Sequence, residues 1–293
     1  MLAYDKINHI HIELTTVCNA HCPACGRNNN GFGLKNNFKL QDLSFERFIE
    51  VCDMLPNLQT VQLCGSLGDP IAAKRIMDVV DEGIKRKYIL RIHTNGGMKT
   101  TDWWKSLGEK LANSKLEHTV IFGIDGLEDT HSIHRQGVSF QKVIDNAKSF
   151  IDAGGSAEWQ FLLFKHNQHQ VKDCMRLSQK MGFYKFYTRN SIRVPNPARH
   201  YQTGEPYVIE RAEEYKTMES YDMTEKTLEV KDCFHLSHNS IYMNASGFIG
   251  SCCYLTWIHQ VRGIEYEGNT LDEEITSGNA SDNCKNFCST FKK

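Results

Sequence analysis

Three cysteines, Cys18, Cys22 and Cys25, fall in a C-x3-C-x2-C pattern within the segment TTVCNAHCPACGRN. Thiolates are soft ligands that select zinc, copper(I) or iron–sulfur clusters. An isolated C-x2-C fits zinc, half of a redox pair, or chance. Three thiolates are one short of a closed tetrahedral site. They suit an iron–sulfur cluster with one iron free of protein ligands and open to another molecule. A second group, Cys233, Cys252, Cys253, Cys284 and Cys288, lies far along the sequence. Four sulfurs from that group satisfy either a tetrahedral zinc or a cluster, and sulfur ligation alone does not separate the two. Cys52, Cys64 and Cys174 stand singly among apolar residues and read as small buried hydrophobes.

Composition narrows the setting. The sequence has 293 residues, 40% of them hydrophobic, and a net charge of −1. That is enough for one large domain, or for one domain plus a small appendage. The even balance of charge offers no basic surplus for nucleic acid or an anionic membrane, so neither is expected as a partner. The start, MLAYDKINHIHIEL, lacks the charged flank and apolar core of a signal peptide, and no apolar run reaches the ~18 residues of a membrane span. A cytoplasmic protein is the expectation. In that reducing setting the 11 cysteines read as metal ligands before disulfides.

The elements that must position these thiols follow from hydrophobic periodicity. Strands are predicted at 10–16, 60–65, 88–94, 118–125, 157–165 and 183–188. Helices are predicted at 43–55 with Ser44 as N-cap, then at 72–87, 101–113, 140–154 and 170–182. Six βα-type units in series predict a parallel sheet with its function at the C-terminal ends of the strands. Six is short of the eight of a closed barrel, so the expected fold is α/β, a partial (β/α)6 barrel over residues 1–194. Three of the six prolines fall in the stretch that begins at Pro195, marking a connector over 195–231. Within the remaining cysteine-rich domain, 232–293, SIYMNASGFIGSCC reads as a hairpin turned at Asn244–Gly247.

Cys18, Cys22 and Cys25 follow the first strand, and the stretch resembles the cluster motif of the radical S-adenosylmethionine (SAM) superfamily. In that family three cysteines hold a [4Fe–4S] cluster whose fourth iron chelates SAM, and one electron cleaves SAM to methionine and a 5′-deoxyadenosyl radical. Later strand ends agree in order. CGSLGDP is similar to the family's Gly-Gly-Glu-Pro loop, with Gly68, Asp69 and Pro70 matching its end apart from Asp for Glu. HTNGG carries Asn95 where the family has Thr-Asn-Gly, and GIDGLEDTHSIHRQG resembles its Ser-(Ile/Leu)-Asp-Gly stretch through Asp125, Gly126 and Arg135. Asn167 matches a recurrent turn residue. Besides Asp69, three positions depart: Leu67 stands for the first Gly of that loop, Ala24 replaces an aromatic that packs near adenine, and Gly123 replaces Ser. The resemblance implies SAM contacts from Ser66, Gly68, Asp69, Asn95, Asp125 and Arg135.

The second cysteine group resembles the SPASM/twitch extension of some radical SAM enzymes. There a cysteine precedes a hairpin carrying G-x4-C, here Gly247 and Cys252, and later cysteines complete an auxiliary [4Fe–4S] cluster. The resemblance implies Cys233, Cys252, Cys284 and Cys288 as ligands of one auxiliary cluster, with Cys253 spare. It implies hydrogen abstraction from a small molecule or peptide, followed by oxidation or cross-linking, with electrons from a flavodoxin or ferredoxin. The competing reading is a non-catalytic zinc or iron–sulfur scaffold that recognises a partner protein. Only 17 residues precede Cys18, so a leader-binding domain is not expected there, which weighs against peptides unless the leader is read in trans. His93, at the end of the third strand, is a candidate acid or base or a residue behind the site. His131 and His134 are expected to be exposed, and Trp103, Trp104, Trp159 and Trp257 to serve the core or an interface.

Overall fold

A computed structural model describes residues 4–191, 193–213 and 239–250. All six predicted strands are present: β1 (His9–Ile12), β2 (Thr60–Leu63), β3 (Ile89–Thr94), β4 (Thr119–Gly123), β5 (Ala157–Leu163) and β6 (Lys185–Asn190). Each pairs in parallel with the next. The helices between them are α1 (Phe45–Met54), α2 (Ile76–Lys85), α3 (Thr101–Asn113), a short α4 (His131–His134), α5 (Phe140–Asp152) and α6 (Val171–Met181). Parallel neighbours need such crossovers, which place the helices over one face of the sheet.

Local chemistry sets the helix ends. The Ser44 hydroxyl accepts from Arg47 N at 3.1 Å, as its position before the apolar run predicts, and Thr100 and Ser139 cap α3 and α5 in the same way. Gly182 ends α6 at φ 87°, a left-handed turn that glycine adopts without strain. Helical spacing then gathers Phe48, Val51 and Cys52 of α1, Ile76, Val79 and Val80 of α2, and Val143, Ala147 and Phe150 of α5 against the sheet. Trp104 of α3 is fully buried against Phe122 and Phe150, and its indole N–H donates to Met98 O at 2.9 Å. Trp159 is likewise buried in the core, as expected.

Strand alternation divides the sheet into two faces. Ile10, Ile12, Val61, Leu63, Leu90 and Ile92 are buried against the helices. Their neighbours His11, Gln62 and His93 are half-buried on the concave face. That inner face is polar: the Gln62 and His93 side chains meet at 3.2 Å, Tyr187 OH donates to Gln160 at 3.1 Å, and Arg91 pairs with Glu158 at 3.3 Å. A closed barrel fills this space with branched apolar side chains; here it is left to polar ones.

Two additions complete the described fold. The hairpin predicted near Asn244–Gly247 forms β9 (Ser240–Met243) and β10 (Ile249–Gly250), with Asn244 Oδ1 accepting from Ser246 N and Phe248 N. β9 pairs in parallel with β1, so the sheet runs β10-β9-β1-β2-β3-β4-β5-β6. Inside the predicted connector, β7 (Ala198–Arg199) and β8 (Pro206–Tyr207) make a small antiparallel pair. Arg199 N donates to Asn30 O at 2.7 Å, and Tyr207 OH donates to Ile133 O at 2.8 Å. No helix among the described residues is long and apolar enough to cross a membrane.

Burial lowers the pKa of His93, His118, His131 and His166 from the ordinary 6.5 to about 4. His118 shows why: its Nδ1 accepts from Leu90 N at 3.0 Å, which requires the neutral ring. These histidines bind protons in the unfolded chain before they do in the folded one. Stability is therefore full above about pH 6.5 and falls as pH drops toward 4. Urea unfolding of the metal-free protein should show losses on the order of 1 kcal/mol per buried histidine per pH unit in that window; a flat profile would refute this.

Candidate active site

The C-terminal ends of β1 to β6 surround a cavity of about 460 Å3, and Cys18, Cys22 and Cys25 all line it. Cys22 is buried and the other two are half-buried. Burial pushes the Cys22 thiol up to about 12 and Cys18 higher still, with neighbouring cysteine and aspartate charge adding to burial. Such thiols ionise when a metal takes the place of the proton. Among the described residues no three His, Cys, Asp or Glu side chains converge on a single ion. Three thiols lining one cavity supply the donor set of a cluster with one iron left open.

The loop carrying them has no regular structure, so its backbone groups need other partners. Thr16 Oγ1 donates to Lys39 O and accepts from Gln41 N, both at 2.8 Å, which fastens the segment after the cysteines back onto β1's exit. Asn28 Nδ2 donates to Cys22 O at 3.0 Å, and Arg27 is directed at other carbonyls of the loop. Two donors reach the Cys18 sulfur: Ala20 N at 3.3 Å and Asn95 Nδ2 at 3.4 Å.

Glu13, at the exit of β1, is fully buried and absent from the sequence-based candidates. Its carboxylate accepts from Ser66 N at 2.8 Å, Leu67 N at 3.3 Å and the Cys64 thiol at 3.3 Å. Burial raises its pKa while these bonds oppose the rise. Its only sequence signal is an acid directly after an apolar strand, ahead of a long stretch without another. Cys64 is buried as expected, but it also lines the cavity. Gly68 follows, where an added Cβ would lie 2.0 Å from Thr15 O; only glycine lets the two loops touch.

The remaining predicted residues divide by role. Ser66, Gly68, Asp69, Asn95 and Arg135 line the cavity. Asp69 also holds the third loop, with Oδ2 accepting from Asn95 N at 2.7 Å and Thr94 Oγ1 at 3.0 Å, and Oδ1 from Ile71 N at 3.0 Å. Asp125 does not line the cavity. It is fully buried behind the wall, with Oδ2 accepting from Arg135 Nε at 2.6 Å and His134 Nδ1 at 2.8 Å, and Oδ1 from Leu162 N at 2.9 Å. Burial alone would raise its pKa, but the Arg135 charge and the His134 bond hold it well below the usual carboxylate range. Asn167 joins the same group by donating to Asp125 O at 3.0 Å.

One expectation changes here, and the two motif departures find their surroundings. His131 and His134 are buried at 0% and 3% exposure, because Asp125 draws the loop inward: His131 Nδ1 accepts from Asp125 N and His134 bonds its carboxylate. Gly123 gains a reason: a Cβ there would lie 2.6 Å from Arg135 Nη2, so the guanidinium fills the space a serine would take. Beside Ala24 a satellite core of Phe164, Ala198 and Ile209 packs together with Leu162, Val194 and Tyr207. His93 lines the cavity, and burial keeps it neutral. The four predicted auxiliary ligands, Cys233, Cys252, Cys284 and Cys288, and also Trp257, lie outside the described residues.

The model of the radical SAM superfamily matches residues 12–185. The chain belongs to the radical SAM superfamily. Over 255 residues it is 23% identical to the tungsten-containing aldehyde ferredoxin oxidoreductase cofactor-modifying protein of Pyrococcus furiosus, covering 83% of this chain and 63% of that protein. The chain thus spans less than two thirds of that relative's length. The crystal structure of Streptococcus suis SuiB bound to S-adenosylmethionine superposes with a TM-score of 0.63 at 15% identity, covering 98% of this chain and 66% of SuiB. SuiB bound to its precursor peptide SuiA gives a TM-score of 0.61 at 15% identity, over 92% and 64%. At that identity the likeness shows the fold, a radical SAM partial barrel. The family implies a [4Fe–4S] cluster and SAM, and the three thiols at the first strand end fit the cluster.

Glu13→Ala should leave two backbone donors of the second loop unpaired and cost about 1–3 kcal/mol each, whereas Glu13→Gln keeps an acceptor and should cost less. Thermal unfolding of the two variants side by side checks this, and equal losses would count against it.

Proposed function

We propose that this protein is a radical SAM enzyme acting on a C–H bond of a small molecule or peptide. The observation that carries the reading is the convergence of Cys18, Cys22 and Cys25 with Ser66, Asn95 and Arg135 on one cavity at the strand ends. A [4Fe–4S] cluster bound there supplies the electron that cleaves SAM and yields the 5′-deoxyadenosyl radical. Arg135 offers a guanidinium fixed through Nε, leaving its terminal nitrogens to take the SAM carboxylate. Backbone and side-chain groups of Ser66, Gly68 and Asn95 line the same side of the pocket and suit the amino group and ribose. The polar inner face, His11, Gln62, His93 and Gln160, lines the same cavity and offers hydrogen bonds to a polar substrate.

Cys233, Cys252, Cys284 and Cys288 would hold an auxiliary [4Fe–4S] cluster in a twitch-like domain over 232–293, accepting an electron from the substrate radical or holding the substrate. A flavodoxin or ferredoxin would supply the reducing electron. Two similar proteins, one a cofactor-modifying protein and one crystallised with a precursor peptide, support both substrate classes.

Anaerobically reconstituted protein should carry about eight irons, and Cys18→Ala/Cys22→Ala/Cys25→Ala about four, with loss of 5′-deoxyadenosine formation. Zinc in place of iron at the first site, with no SAM cleavage by the wild type, would favour the scaffold reading instead. Undiminished SAM cleavage by the triple variant would overturn the assignment of these three cysteines. Gly123→Ser tests the SAM side of the pocket. It should push the Arg135 guanidinium away from the buried Asp125, lower thermal stability, and weaken SAM binding by about ten- to a hundredfold. Unchanged affinity by calorimetric titration would remove Arg135 from the site.

A further inference from the structure

Arg27 is buried at 4% exposure, two residues beyond Cys25. Its guanidinium donates to Thr16 O at 3.0 Å, Cys18 O at 3.1 Å, Ala20 O at 3.5 Å and Asn28 Oδ1 at 3.2 Å. Every one of these acceptors is neutral, and among the described residues no carboxylate lies within ion-pair reach of it. The sequence supplies none locally, for no Asp or Glu occurs between Leu14 and Gln41. The two acids flanking that stretch are engaged elsewhere: Glu13 with the second loop, and Asp42 with Lys74 N. Of the other arginines that line the cavity, Arg135 has Asp125 as its partner, and Arg189 and Arg193 come from β6 and the segment after it.

A buried charge without an opposite charge is costly, and dipoles of carbonyls offset only part of that cost. The missing anion is one the chain acquires on binding. Arg27 lines the cavity with the three cysteines, and its guanidinium reaches the carbonyl of Cys18. A cluster held by three thiolates is net negative and becomes more so when it takes up an electron. In a poorly screened interior a fixed cation beside it favours the reduced form.

We infer that Arg27 is the permanent countercharge of the cluster site, raising its reduction potential as well as shaping its loop. This rests on the reading of Cys18, Cys22 and Cys25 as cluster ligands. The guanidinium fork spans carbonyls that a lysine cannot reach together, so charge and fork are separable by substitution. Arg27→Lys keeps the charge and loses the fork; Arg27→Gln loses the charge and keeps a neutral donor.

The experiment is an EPR-monitored redox titration of the full-length, anaerobically reconstituted protein. The signal that changes on adding SAM identifies this cluster. Arg27→Gln should lower the ratio of reduced to oxidised cluster at fixed potential about tenfold, a midpoint about 59 mV more negative, while Arg27→Lys stays near wild type. Equal shifts in both variants, or none in either, overturn the inference. If Arg27→Gln takes up no iron, normal loading and potential in Arg27→Lys uphold the role of charge; failure of both assigns Arg27 to loop structure alone and overturns it. Wild-type protein that takes up no iron at this site overturns the reading of the site itself, a separate result.

Discussion

Buried carboxylates between neighbouring strand ends hold the site together. Glu13, at the end of β1, binds the loop after β2; Asp69, after β2, binds the loop after β3. Asp125, after β4, binds the end of β5, and Asn167 returns a bond from beyond β5 to Asp125. A carboxylate removed from water needs its lone pairs filled, and a loop without regular structure needs acceptors for its N–H groups. The two needs meet here, strand by strand. Cavity-lining groups such as Ser66 and Asn95 thereby keep fixed positions although they sit on loops.

Much of this was legible in the sequence because the signals are local. Six alternations of strand and helix, Ser44 as a cap and the Asn244–Gly247 turn all depend on residues within a few positions of each other. The pairing of β9 with β1 joins segments far apart, and no periodicity in either announces the other. The same limit hid Glu13, whose partners begin at Cys64, and misplaced His131 and His134. A His-rich polar loop reads as exposed until the buried carboxylate that draws it inward is known.

The departures from the family pattern form a connected set. Gly123 vacates space, the Arg135 guanidinium occupies it, and Asp125 fixes that guanidinium beside a neutral His134. Burial lowers the histidine's pKa, so the arginine is the cation that balances Asp125. Ala24 similarly sits beside apolar side chains drawn from β5's exit and the β7–β8 pair. A substitution that looks like a loss in the motif is matched in both places by a group from elsewhere in the chain.

The two faces of the sheet carry different burdens. The helix-facing positions of β1 to β3 are buried hydrocarbon and supply the apolar burial that favours folding. The concave positions, His11, Gln62, His93 and Gln160, contribute little apolar burial; Gln62 meets His93 and Gln160 accepts from Tyr187 through hydrogen bonds. Natural variation can therefore redraw the concave surface without dismantling the scaffold. One barrel of this kind is free to change what it recognises while its backbone, its cysteine loop and the carboxylates that brace them stay as they are.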